Sequence, residues 1–78
     1  MRRRERRLIV AFYTTHDAMA FEDYCNARGA EGRLIPLPRE ISAGCGLAWS
    51  APPGDPEEID ALLREAGIRP QHMREMEI

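Results

Sequence analysis

The sequence predicts an α+β fold in which four short strands form one antiparallel sheet and two helices cover one of its faces. Three observations predict it. An apolar, β-branched run, Leu8-Ile-Val-Ala-Phe-Tyr13, stands near the start and has the length and composition of a buried central strand. A strong helix start, Asp55-Pro-Glu-Glu58, opens an apolar stripe near the end. Between and beyond them, extended and helical patterns follow one another in the order β-α-β-β-α-β.

Each element follows from its residues. After the first strand, Thr14 or Thr15 supplies a capping hydroxyl and Asp17 puts negative charge in the first helical turn. Ala18, Phe21 and Cys25 then fall on one stripe, flanked by Tyr24, until Gly29 stops a helix of about four turns. Gly32-Arg-Leu-Ile-Pro-Leu-Pro38 carries two prolines that cannot donate to a ladder, so it reads as a short strand at a sheet edge. Arg39 to Gly44 is a loop. Gly46-Leu-Ala-Trp-Ser50 resumes an extended pattern, with Cys45, Leu47 and Trp49 on one face and Ala48 and Ser50 on the other. Asp55 caps the second helix, Pro56 takes its first position and Glu58 completes a capping box. Ile59, Leu62, Leu63 and Ala66 recur at helical spacing before Gly67 ends it. Gln71 to Ile78 alternates Met76 and Ile78 against Glu75 and Glu77, a final strand. Two helix crossovers around a central hairpin give the ferredoxin-like arrangement.

At 78 residues the chain is one domain with a single small core, burying ~60% of the surface of its unfolded form. It divides into an Arg-rich flexible tail, residues 1–7, and one domain, residues 8–78. A hydrophobic fraction of 44% beside 31% charged residues fits a globular protein. No apolar run approaches the ~18 residues of a spanning helix, and no signal peptide is legible, which predicts a cytoplasmic location and no membrane partner. The net charge of -2 disfavours general nucleic-acid coating, and the strands lack the paired aromatics on which bases stack. An arginine tail binding nucleic acid is a third reading, one that predicts steeply salt-dependent affinity. An exposed edge strand in so small a domain admits a homodimer.

The two cysteines form no metal-binding pattern and no disulfide scaffold, and no cofactor is implied. Cys25 lies ~15 Å along the first helix from Thr15 and reads as core packing. Cys45 stands between Gly44 and Gly46. In the predicted topology its loop meets the amino end of the first helix, where Thr14, Thr15 and His16 lie. Helix dipole, unsatisfied N–H groups, Arg39 and His16 all favour a thiolate there, and the two glycines open the backbone into an anion cradle. Each residue also has a plainer reading. On spacing alone Cys45 reads rather as a buried small hydrophobe opening a strand, His16 and Arg39 as solvated charges and Ser42 as a turn residue. Glu22 reads as a rim charge, and Trp49 as packing or the wall of a partner site.

Phe12-Tyr-Thr-Thr-His-Asp-Ala18 with Glu22, Leu34-Ile-Pro-Leu-Pro-Arg39 and Ile41-Ser-Ala-Gly-Cys-Gly-Leu-Ala48 resemble the small bacterial family of selenium/sulfur carrier-like proteins. The resemblance covers roughly Leu8 to Ala51 and is most specific in Pro-Arg-x-Ile-Ser-x-Gly-Cys-Gly. The second helix and last strand fit only in general shape. It implies that Cys45 holds a sulfane sulfur or selenium as a persulfide-type adduct and passes it between donor and acceptor proteins, with Gly46 as the glycine of the motif. The resulting expectation is a carrier rather than a self-contained enzyme, with Arg39, Ser42, Gly44, Gly46, His16, Thr14 and Thr15 in support. The alternative is a ligand-sensing or protein-interaction module that binds an anion at the first helix and merely packs Cys45.

Overall fold

The computed structural model describes residues 5–41, 46–54 and 56–78. Six elements run β1 (Arg6–Phe12), α1 (Thr15–Ala27), β2 (Arg33–Pro36), β3 (Leu47–Ala51), α2 (Pro56–Ala66) and β4 (Pro70–Glu77). The strands form one sheet in the order β2-β3-β1-β4, antiparallel at every pairing. This is the expected ferredoxin-like α+β fold.

β1 occupies the centre because its residues can be buried on both faces. Val10 and Phe12 join Ala18, Phe21 and Cys25 of α1, Trp49 and Ala51 of β3 and Leu63 of α2 in the main core. Ile9 and Ala11 point the other way, into a second cluster with Ala48 and Ile41. Phe21 stands edge-on to Trp49 at 4.9 Å and tilted to Phe12 at 5.7 Å, so three aromatics tie α1 to the two central strands. The Trp49 ring fixes one residue beyond the strands. A Cβ at Gly32 would lie 2.2 Å from Trp49 Cζ2, a distance no carbon pair tolerates, so only glycine lets the chain pass the indole before β2.

The local signals place the helices. Thr14 is the N-cap of α1, its Oγ1 accepting the Asp17 N–H at 3.0 Å, as a capping hydroxyl does. α2 begins at Pro56, carries Glu57 and Glu58 in its first turn and buries Leu63. Asp55, the expected cap, lies outside the described residues, as do residues 1–4 of the expected tail.

Several boundaries differ from the sequence reading. β1 starts at Arg6 rather than Leu8, because its ladder continues outward. Glu5 and Ile78 exchange both backbone bonds at 3.0 Å, and Arg7 Nε donates to Ser50 Oγ at 3.0 Å, so Arg6 and Arg7 belong to the sheet and not to a tail. β2 is shorter than its apolar run, ending at Pro36. Glu22 is a further difference. Its Oε2 accepts the Leu34 N–H at 3.1 Å, so α1 holds the edge strand through a carboxylate that the sequence pattern puts at the solvent rim.

Candidate functional site

Antiparallel pairing gathers several chain ends at one end of the sheet. Ala11 pairs with Ala48, Pro36 with Leu47 and Phe12 with Pro70, so β1 and β2 finish where β3 and β4 begin, and α1 starts just beyond β1. The segment from Leu37 to Gly46 joins β2 to β3 at this end, as the connectivity predicts.

That segment is held at both limbs. The Leu37 N–H donates to the Gly46 carbonyl at 3.0 Å, closing its neck, and the Ile41 N–H donates to the Pro38 carbonyl at 3.0 Å, a tight turn over Arg39 and Glu40. Ile41 then inserts into the helix-free face of the sheet. It is 6% exposed and packs with Ile9, Ala11 and Ala48, an apolar anchor whose burial removes most of its surface from water. From β4, at the far edge of the sheet, Arg74 Nη2 donates to the Glu40 carbonyl at 3.4 Å. The first limb therefore leaves one edge of the sheet and is tied to the strand at the other. Gly46 has φ 74°, in the left-handed region that glycine enters without strain. Nothing lies within 4 Å of a Cβ placed there, so its requirement is conformational rather than steric.

The residues named from sequence fall into three sets. Ser42, Gly44 and Cys45 lie outside the described residues. Thr14, Thr15 and His16 are exposed at the amino end of α1, and Thr14 spends its hydroxyl on the Asp17 N–H. Arg39 is exposed in the turn that precedes Ile41. The fold brings Gly46, the turn and the start of α1 to one end of the sheet. It sends the Ile41 limb to the helix-free face, while α1 packs on the opposite one.

The other thiol is closed off. Cys25 is free, fully buried in the helix-side core, and burial without a compensating charge pushes its pKa up from 9.0 to about 11. At neutral pH it is a packed thiol, not a nucleophile. Along β2 on the helix-free side runs an open groove of about 1130 Å³, bounded by Pro38 and Glu40 of the turn and by Arg7, Arg33, Ile35 and Ser50 of the sheet, among others. The Arg7 guanidinium is fixed there by Ser50 Oγ at 3.0 Å and by the Ser50 carbonyl at 3.4 Å. Among the described residues no three His, Cys, Asp or Glu side chains gather into a metal site, and no helix is long and apolar enough to cross a membrane.

Sequence reasoning missed Ile41 and Arg74. An isolated isoleucine between loop residues was the available signal for Ile41, since a large aliphatic side chain seldom stays in water unless it is packed. Arg74 carries no local signal, because its partner Glu40 is 34 residues away.

Residues 7–75 match the family model described as Putative Se/S carrier protein-like. The match reaches through α2 and most of β4, beyond the segment that carries the resemblance by motif. Neither a curated protein nor a solved structure matches the chain.

Proposed function

The chain belongs to the Putative Se/S carrier protein-like family, and on that premise we propose that Cys45 carries sulfane sulfur or selenium between a donor and an acceptor protein. The supporting observation is the family match together with a Gly-Cys-Gly segment whose flanks are anchored. Ile41 is buried before it, and Gly46 is bonded at 3.0 Å and left-handed after it. Anchored flanks on either side of a nucleophile are the kind of preorganisation that a transfer site uses.

The transfer is an exchange at sulfur. The Cys45 thiolate attacks the terminal sulfur of a donor persulfide, R–S–SH. A new S–S bond forms to Cys45, the donor S–S bond breaks, and the donor leaves as its thiolate, R–S⁻. Nothing is oxidised or reduced overall. With R–S–SeH as donor, selenium takes the same place. The acceptor thiolate repeats the step on Cys45–S–SH and returns Cys45 as thiolate. Arg39 and the amino end of α1 at Thr14 and Thr15 favour the anion, Gly44 and Ser42 shape the loop, and His16 exchanges the proton. Donor and acceptor are proteins, and the setting is the reducing cytoplasm, where free thiolates persist.

Loading with a persulfide donor followed by intact-mass measurement tests the reading. The expected result is a gain of one sulfur atom in the wild type and in Cys25→Ala, and none in Cys45→Ser. An adduct retained by Cys45→Ser overturns it. A Cys45 that resists alkylation in the folded state points instead to the ligand-sensing or interaction module with a packed thiol.

A further inference from the structure

We propose that Arg74 is a positioning residue for the cysteine-bearing loop, acting from the opposite edge of the sheet through the Glu40 carbonyl; the proposal rests on the reading of Cys45 as the carrier thiol. Four observations carry it. The loop leaves β2, an edge strand, yet its first limb is bonded to β4, the other edge strand, by Arg74 Nη2 at 3.4 Å from the Glu40 oxygen. Arg74 pairs in register with Ile9, so it lies on the same face of the sheet as the cluster that receives Ile41. The carbonyl it holds belongs to the residue directly before Ile41, whose own N–H closes the turn on Pro38 at 3.0 Å. Beyond Ile41 the chain runs to Cys45 and then to Gly46, whose carbonyl is bonded to Leu37. One guanidinium and one aliphatic side chain therefore fix the amino-terminal limb, and one backbone bond fixes the carboxy-terminal limb.

The chemistry suits the task. An arginine donor to a neutral carbonyl is a charge-assisted bond, stronger than an amide donor would supply. A carbonyl on an exposed turn has no ladder partner, so the bond selects one loop conformation rather than adding to a ladder. Losing it frees the turn to lift Ile41 from the face. The anchor that precedes the Cys45 stretch is then released, and with it the placement that the carrier reading gives the Cys45 thiolate. Arg74 thus acts on sulfur chemistry through the loop and not by touching the sulfur.

The test compares Arg74→Met, which keeps an apolar stem and removes the donor, with Arg74→Lys, which restores a cationic donor. Three readouts are taken on the full chain: hydrogen exchange at the Ile41 amide, the pH midpoint of Cys45 alkylation, and persulfide loading. We expect Arg74→Met to speed Ile41 exchange and slow loading by about three- to tenfold, the size of one lost hydrogen bond. We also expect its alkylation midpoint to move toward the ordinary thiol value of ~8.5. Arg74→Lys recovers most of each change, and Cys25 stays protected in both variants. Unchanged Ile41 exchange and an unchanged midpoint in folded Arg74→Met overturn the proposal, as does failure of Arg74→Lys to recover them. If the wild type takes up no sulfane sulfur, the carrier reading falls, while exchange and alkylation still decide whether Arg74 holds the loop.

Discussion

Cys25 and Gly32 show how single residues are committed to packing and kept out of chemistry. Cys25 is enclosed with Phe21, Trp49 and Leu63 in the helix-side core, and loss of hydration lifts its thiol pKa to about 11 from 9.0. The consequence for stability has a definite sign. A raised folded-state pKa means that, between about 9 and about 11, the unfolded chain releases a proton the native chain keeps. The Cys25 contribution is therefore complete below pH 9 and is lost as pH rises toward 11, by roughly 1–3 kcal/mol for a buried thiol. Urea unfolding over this range should show wild-type stability falling toward that of Cys25→Ala. Two curves that stay parallel would contradict the assignment. In the folded protein at neutral pH, Cys25 should be inert to alkylating reagents.

At the scale of elements, the clearest design is the closure of the β2 edge. Leu37 donates inward to Gly46, so by the two-residue alternation of an antiparallel ladder Leu34, Pro36 and Pro38 turn their amide positions outward. Two of those are prolines with no N–H, and the third, Leu34, gives its N–H to Glu22 of α1 at 3.1 Å. Glu22→Ala leaves the Leu34 donor without its acceptor and should cost about 1–2 kcal/mol in denaturant unfolding, whereas Glu22→Gln, which keeps an acceptor oxygen, should cost less. Equal losses in the two variants would show that the carboxylate, not the acceptor, matters.

The same elements show what was legible in the sequence. The β-branched run of β1, a threonine cap for α1, which the structure assigns to Thr14 of the two candidates, and the Pro56-Glu57-Glu58 start of α2 are local signals and read correctly. Both prolines of the β2 run placed that strand at an edge, where it lies. What could not be read depends on partners far away in the chain. Arg6 and Arg7 look like a solvated charge run, yet they are drawn into the sheet by pairing with Glu77 and Met76. Glu22 looks like a rim charge until β2 arrives beside it. The candidate site divides in the same way. Its cysteine and glycines were visible as a motif, and the convergence of chain ends followed from element order, but Ile41 and Arg74 emerge only once the loop crosses the helix-free face.

For the whole molecule, the two edges of the sheet are unequal. Glu5 and Ile78 exchange bonds across β1 and β4, which turns the N–H groups of Met73, Glu75 and Glu77 outward from β4. β2 offers no such row, so a strand that adds to this sheet, from a second copy or another protein, is expected to add at β4. Glu77→Pro removes one outward donor at an exposed position and spares the β1 ladder, a position where an edge strand tolerates proline. Any concentration-dependent association seen in sedimentation equilibrium should be lost in this variant, and association that survives it would exclude the β4 edge.

The molecule as a whole presents one buried, raised-pKa thiol, Cys25, and a second, Cys45, in the β2–β3 connection whose first limb Ile41 and Arg74 tie to the sheet, within a family match that spans residues 7–75. On the carrier reading, sulfur resides on the second. Isotopically labelled sulfane sulfur, loaded from a donor persulfide and located by fragment mass spectrometry, tests it most directly. Label is expected on the peptide bearing Cys45, absent from the peptide bearing Cys25, and lost on addition of an acceptor thiol. Label on Cys25, or on neither cysteine, would contradict it.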